Sequence, residues 1–206
     1  IPNGIDLDEA NNAKPIGMET LNDLPKNKFI VGYSGTLGVA NSLEVFIEAA
    51  RFLKDFQQIA FVLAGSGKEK ASLVEQAKGL TNITFIDSVP KIQVQSLLLE
   101  FDVCYIGWNK EPIYRFGVAP NKLPEYMLSA KPIIHSYSGS YDVVSKACCG
   151  IAVPAKDSQQ VVRAIQELYE MTENERAKLG RNGREHVIEN YNYAILAEKL
   201  STVLWN

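Results

Sequence analysis

Short apolar runs alternate with amphipathic stretches along most of the chain, and that alternation predicts its architecture. "FIVGYSG" (29–35) is too short for a helix and closes on glycine, so it reads as a buried strand entering a tight turn. "NSLEVFIEAARFLKD" (41–55) carries Leu43, Phe46, Ile47, Ala50 and Leu53 at helical spacing. Asn41 and Glu44 form an N-x-x-E pattern that predicts a capping box at its start. "IAFVLAGSG" (59–67) is a second strand into a glycine turn, backed by a helix across 68–80. "NITFID" (82–87) predicts a third strand and 91–100 the helix behind it. "FDVCYIG" (101–107), "KPIIHS" (131–136) and "GIAVPA" (150–155) predict three more strands, and amphipathic helices over 158–171, 173–190 and 193–204 finish the chain. Apolar strands separated by helices make a parallel sheet covered on both faces. The predicted fold is therefore α/β, a Rossmann-like doubly wound parallel sheet of about six strands, in a single domain over 1–206.

The ends add organisation. The chain opens "IPNGIDLDEANNAKPIG" without an initiator Met, and "PNG" is a turn signal after an Ile that reads like a strand end. Residues 1–28 are accordingly expected to be a linker entering a second domain, and the sequence is expected to begin mid-protein. No internal repeat or low-complexity tract interrupts the alternation.

Composition narrows the function classes. With 206 residues, 46% of them hydrophobic, the chain can bury a proper core. The net charge is −3, with Lys and Arg scattered, which is no electrostatic footprint for nucleic acid. Three cysteines, Cys104, Cys148 and Cys149, are too few for a disulfide framework or a zinc site and fit a reducing, cytoplasmic setting. No apolar run is long enough to span a bilayer, and no stretch reads as a signal peptide.

In doubly wound sheets ligands bind beyond the carboxyl ends of the strands, at the point where strand order reverses. The segments to read are thus 35–38, 65–68, 87–91, 107–122 and 136–140. "SGTLG" (34–38) has glycines that admit a close ligand and N–H groups that suit an anion, although a glycine after a strand also serves as a plain turn. It is neither G-x-G-x-x-G nor a Walker loop. "FVLAGSGK" lacks the acid that a dehydrogenase places after its second strand, which counts against NAD. Lys68 there reads as a solvated surface residue.

"GVAPNKLPEYMLSAKPII" (117–134) holds the densest chemistry. Asn121 can cap a helix, and Pro124 is tolerated in a first turn. Lys122 and Glu125 are three apart and share a face. They make either an ordinary surface ion pair, or a lysine for phosphate beside a carboxylate that accepts paired sugar hydroxyls. Their place on the ligand edge, after a loop with Gly107, Gly117 and Pro120, favours ribose plus diphosphate. His135 reads as a strand-end histidine. Ser136, Ser138, Ser140 and Asp142 lack a G-x-S-x-G elbow. Cys148 and Cys149 are expected to be packed thiols. Trp108 and Tyr114 either stack on a base or sugar, or cover the core.

The order "IPNGID", "VGYSGTLG…NSLEVFIEAA", "FVLAGSG", "NITFIDSVP", "APNKLPEYMLSAKPII", "CCGIAVPAKDSQQVVRAI" and "YNYAILAEKL" resembles the nucleotide-binding C-terminal half of GT-B family 4 enzymes, the group 1 glycosyltransferases, across essentially the whole chain. "PNKLPEYM" and "GTLGVA" are similar to a bacterial branch that builds capsular, O-antigen and exopolysaccharide repeats. The resemblance implies half of a GT-B fold and retaining transfer from a nucleotide sugar, with no cofactor or metal required. It implies a glycan or lipid-linked acceptor held by a missing N-terminal domain. The terminal helix 193–206 would cross to that domain, leaving part of the face of Ile195, Leu196, Leu200 and Leu204 without cover. A cytoplasmic location follows, with peripheral association of the whole enzyme at the inner face of a membrane left open.

By the same resemblance Glu125 matches the second glutamate of the E-x7-E motif and would hold ribose. Gly35, Thr36, Gly38, Asn121 and Lys122 would lie beside the diphosphate, with Arg115 as a second cation. Gly65, Ser66, Ile86 and Asp87 would border the base, and Gly117, Val118 and Ala119 the donor sugar. No catalytic residue is assigned. Three departures stand out: Gly117 where the first motif glutamate is common, with Glu111 nearby but off register; Thr36 for a common Arg; and Asn41 for a common Lys. Lys122 is then the foremost cation for phosphate. Alternatives are a non-catalytic nucleotide-binding module, which the absent glutamate favours, and a small Rossmann-type NAD enzyme.

Overall fold

A computed structural model describes residues 2–8 and 12–205. Six parallel strands form one sheet: β1 (Phe29–Ser34), β2 (Ile59–Ala64), β3 (Ile83–Ile86), β4 (Val103–Gly107), β5 (Ile133–Ser136) and β6 (Gly150–Val153). Their order is β3-β2-β1-β4-β5-β6, so the winding reverses between β1 and β4. The predicted α/β doubly wound sheet is the one found.

Period-two alternation explains why the strands read as unbroken apolar runs. Phe29, Val31 and Tyr33 of β1, with Phe61 and Leu63 of β2 and Val103 and Tyr105 of β4, point to one face, under the helices Leu43–Phe52, Lys70–Gln76 and Ser158–Glu170. Ile30, Val62, Cys104, Ile106 and Ile133 point to the other, under Lys91–Leu99, Lys122–Leu128, Val143–Lys146 and Glu173–Tyr191. Every residue of β1, β2, β4 and β5 is buried, and the sheet is a wall between two cores. The helix Glu173–Tyr191 lies against Lys122–Leu128 and its following turn because Gly180 has no side chain; a Cβ there would stand 1.8 Å from the Ala130 carbonyl oxygen.

Local details differ from expectation. The strands are one to three residues shorter than the apolar runs, and the helix behind β2 covers only Lys70–Gln76. The capping box over Asn41 and Glu44 is absent. Ser42, at a left-handed φ of 47°, takes the cap position and donates through Oγ to Glu44, while the Asn41 side chain is recruited elsewhere. The capping box that does form is Thr172–Glu175, before Glu173–Tyr191. Cys149 is packed, but Cys148 is exposed at a left-handed φ of 49°.

The entry segment 1–28 is docked rather than loose where it is described. Ile5 donates its amide to the Tyr191 carbonyl, and the Tyr193 amide donates to the Ile5 carbonyl, so the chain start pairs with the joint between the last two helices. A further helix, Met18–Asp23, precedes β1. On the terminal helix Tyr193–Trp205, Leu200 and Leu204 are exposed as expected, together with Val203 and Trp205. Leu196 is buried instead, because it packs against the backbone at Gly4. Residues 1, 9–11 and 206 of these two segments lie outside the described residues.

Candidate functional site

The switch point between β1 and β4 gathers the segments read from the sequence. After β1 and β2 the two glycine turns are joined backbone to backbone. The Gly35 amide donates to Ala64, the Leu37 amide to Ser66, and the Glu69 amide to Leu37. Gly65, at φ +151°, allows this approach: a Cβ on it would be 1.9 Å from the Gly35 carbonyl oxygen. The Gly38 amide is also engaged, with Thr36. Gly35 and Gly38 thus form a close-packed floor whose own amides are spent inside the protein, the plain-turn role that "SGTLG" also allows.

The cation comes from across the switch point. Lys122 leaves the first turn of Lys122–Leu128 and reaches over Gly35; a Cβ on Gly35 would lie 3.1 Å from Lys122 Cε. Its ammonium donates to the Tyr33 hydroxyl at 2.8 Å and to Asn41 Oδ1 at 2.6 Å, and stands 4.6 Å from the Tyr33 ring centre. Asn41 in turn donates to the Thr36 carbonyl, as does Tyr33. Burial pulls the Lys122 ammonium down to about 8, and the negative charge of Glu125 opposes that pull. A desolvated ammonium whose hydrogen bonds go to two neutral oxygens is poised to gain from an anion.

The helix that carries Lys122 is itself pinned. Tyr126 hydroxyl donates to the Ser34 carbonyl and accepts from the Ser34 amide, both at 2.8 Å, tying the helix to the end of β1. Asn121 occupies the cap position, but its side chain does not cap; Oδ1 instead accepts from Asn3 Nδ2, which also reaches the Ala119 carbonyl at 3.2 Å. The expected cap is lost because the entry segment takes that oxygen.

Glu125 points the other way from Lys122, into a cavity of about 490 Å³. Its walls come from residues 3–6 and Ala13 of the entry segment, Lys91, Ile92, Val94 and Gln95 of the next helix, Asn121 and Tyr193. Gln95 donates to the Glu125 carbonyl at 2.9 Å. Lys122 and Glu125 form no salt bridge within 4.0 Å among the described residues, so the surface ion pair is not what the structure contains.

The other named residues are placed unevenly. Ile86 is a buried core residue. Asp87 is exposed and ion-paired to Lys70, which holds its carboxyl below the ordinary range through that hydrogen bond and charge. Neither lines the cavity that holds Glu125. Ser66 is exposed, and its carbonyl is used by Leu37. Arg115 lies in the 3-10 turn Pro112–Phe116 with its guanidinium over the Phe116 ring. Gly117, at φ +102°, opens onto empty space, and Val118 and Ala119 line a small cleft with Pro2 and Asn3. Among the described residues, no group of three or more His, Cys, Asp and Glu side chains is placed to hold a metal ion.

Residues 28–171 match the family model described as glycosyl transferases group 1. The chain belongs to the group 1 glycosyltransferases. It is 45% identical over 103 residues to WcaI of Escherichia coli (strain K12), a protein assigned to colanic acid biosynthesis as a glycosyl transferase; the match covers 49% of this chain and 25% of WcaI. Among solved structures, Anabaena Alr3699/HepE in complex with UDP-glucose superposes at a TM-score of 0.73 and 17% identity, over 98% of this chain and 55% of HepE. The C-terminal domain of the Francisella tularensis group 1 protein LpcC superposes at 0.68 and 22% identity, over 92% of this chain and all of that one. At such identities the likeness is one of fold. This glycosyltransferase chain spans a quarter of WcaI and about half of HepE.

One cluster of the glycosyltransferase chain escaped sequence reasoning. His135 is fully buried; Trp108 Nε1 donates to its Nε2 at 3.0 Å, and its Nδ1 lies 2.9 Å from Asp142 Oδ1. Burial raises the Asp142 carboxyl, but bonds from His135, the Val144 amide and Ser145 outweigh it and hold the group below its ordinary value. Trp108 packs against the core and edge-on to Tyr114, and it ties its loop to β5. The readable signal was an aspartate seven residues after a strand-end histidine. Among the described residues, no helix is long and apolar enough to cross a membrane.

Proposed function

We propose that the chain is the donor-binding half of a retaining glycosyltransferase, which moves a sugar from a nucleoside diphosphate sugar to a glycan or lipid-linked acceptor held by the other half. The observation that carries it is the division of labour on one helical turn. Lys122 turns to the glycine floor at the switch point, and Glu125 turns into the neighbouring cavity. A diphosphate on Lys122 gains a charge-assisted contact that the Tyr33 and Asn41 oxygens do not supply. A ribose in the cavity presents two hydroxyls to Glu125, and the base then rests near Lys91, Ile92 and Val94. Charge on the diphosphate is met by a lysine, so binding is expected to be unaffected by chelation of divalent metal.

HepE was solved with UDP-glucose, and WcaI is assigned to colanic acid synthesis; both support a nucleotide-sugar donor and cell-surface polysaccharide as the product. Transfer needs the acceptor side, so the 206-residue chain alone is expected to bind donor without turning it over, in the cytoplasm or at a membrane's inner face. A thermal-shift titration with UDP, GDP, dTDP, ADP and NAD, each repeated with Glu125→Ala, tests the reading. One diphosphate at ~100 times its Kd stabilises by about 2.7 kcal/mol, and the shift disappears in the variant. A response to NAD alone, or one indifferent to Glu125, overturns it.

A further inference from the structure

The loop from Gly107 to Pro120 runs along the ligand edge between β4 and the helix that carries Lys122 and Glu125. It has little regular structure, yet it is tied at four points to the end of β5 and the segment after it. The Trp108 amide donates to the Ser136 carbonyl at 3.0 Å, and Trp108 Nε1 to His135. The Tyr137 hydroxyl donates to the Tyr114 carbonyl at 2.7 Å, and Ser140 Oγ to the Arg115 carbonyl at 2.6 Å. His135 connects these ties. Its ring stacks on Tyr137 at 4.9 Å with 10° between planes, and its Nδ1 reaches Asp142. Asp142 in turn starts the helix Val143–Lys146 by accepting from the Val144 amide.

Hydrogen-bond chemistry fixes how the imidazole works. An indole nitrogen is a donor only, so His135 Nε2 has to accept, and the ring proton sits on Nδ1, where it is donated to Asp142. Both nitrogens are spent inside the protein, and the ring is buried, which rules it out as a group that touches substrate. What it controls is the position of Trp108, and through Tyr137 that of Tyr114.

We propose that His135 is the positioning residue of the 107–120 loop: in its Nδ1–H form it locks Trp108 and Tyr137, and so sets where Gly117, Val118 and Ala119 meet the donor's sugar. The part about the sugar rests on the donor-binding reading above; the part about the loop does not.

Two variants separate the two nitrogens. His135→Asn keeps an amide N–H for Asp142 but offers nothing to Trp108; His135→Gln places an amide oxygen near the Nε2 position and keeps the acceptor. In the unliganded chain, His135→Asn is expected to speed hydrogen exchange at residues 108–118 by about tenfold or more, with β1 and β2 unchanged, and His135→Gln to restore most of the protection. Unchanged exchange in a folded His135→Asn chain overturns the proposal. If both variants unfold, imidazole nitrogen NMR of the wild-type chain decides: a proton on Nδ1 with a bare Nε2 supports it, and the reverse tautomer overturns it. The sugar arm compares UDP-glucose with UDP as probes; His135→Asn is expected to weaken UDP-glucose by about tenfold while leaving UDP within about twofold. Equal loss for both probes overturns the link to the sugar. A wild-type chain that binds neither probe sinks the donor-binding reading for uridine nucleotides and the sugar arm with it, while the exchange result still judges the loop.

Discussion

The two halves of the ligand edge are held by different means. After β1 and β2 the turns are joined by main-chain hydrogen bonds through glycines, with Gly35, Leu37 and Glu69 amides all spent between the two loops. After β4 and β5 the loops are joined by side chains: Trp108 to His135, Tyr137 to Tyr114, Ser140 to Arg115. The first arrangement leaves no room for a side chain at Gly65 or Gly67, where a Cβ would meet backbone oxygen at 1.9 and 2.2 Å. The second spreads its hold over several bonds, each of which can be lost singly. On the donor-binding proposal, the first would lie under the diphosphate common to all such donors and the second beside the sugar that differs among them.

The largest effect that would break this contrast is a side chain in the glycine seam. Gly65→Val puts a Cβ within 1.9 Å of the Gly35 carbonyl oxygen, at a φ that β-branched residues avoid. It is expected to cost about 3–5 kcal/mol in denaturant unfolding. Near-wild-type stability would mean the seam gives easily. Next comes Lys122→Met, which keeps the stem over Gly35 and removes the charge. Affinity for a nucleoside diphosphate is expected to fall about 100-fold, roughly 2.7 kcal/mol, while the melting temperature moves by only a few degrees.

Titration sharpens the same point. Burial holds Lys122 at about 8, against an ordinary 10.5. Between those values the unfolded chain keeps a proton that the folded chain has released, so this group's contribution to stability rises with pH. Diphosphate binding needs the ammonium and weakens over the same window, by up to about tenfold per pH unit. Opposite slopes for melting and affinity between pH 7.5 and 9.5, approximately flat affinity in Lys122→Met, are the expected result. The smallest effect is on the other half: Ser140→Ala, losing one bond of several, is expected to cost about 1 kcal/mol by denaturant unfolding.

The same contrast explains what could be read in advance. The sheet was legible because strands buried on both faces are unbroken apolar runs, and the glycine turns because a backbone seam excludes every other residue. Lys122 and Glu125 were legible from spacing and place, though not their opposite directions, which depend on Tyr33 and Asn41 drawing the lysine across the switch point. The capping box at Asn41 failed for that reason: its side chain serves Thr36 and Lys122 instead of the helix. The ends of strands were harder to read: β3 closes by burying Ile86 and turning Asp87 out to Lys70, a pairing that no local period marks. Side-chain ties such as Trp108–His135 span 27 residues and follow no local period, so nothing in the pattern announces them.

On the proposed function, Lys122 takes the diphosphate and Glu125 the ribose of one nucleotide. Calorimetric titration of three ligands decides it: the nucleoside diphosphate that stabilises the chain most, inorganic pyrophosphate, and the corresponding nucleoside. Lys122→Met is expected to abolish pyrophosphate binding and spare the nucleoside, Glu125→Ala to do the reverse, and both to weaken the intact nucleotide. Pyrophosphate binding that ignores Lys122, or nucleoside binding that ignores Glu125, would contradict it.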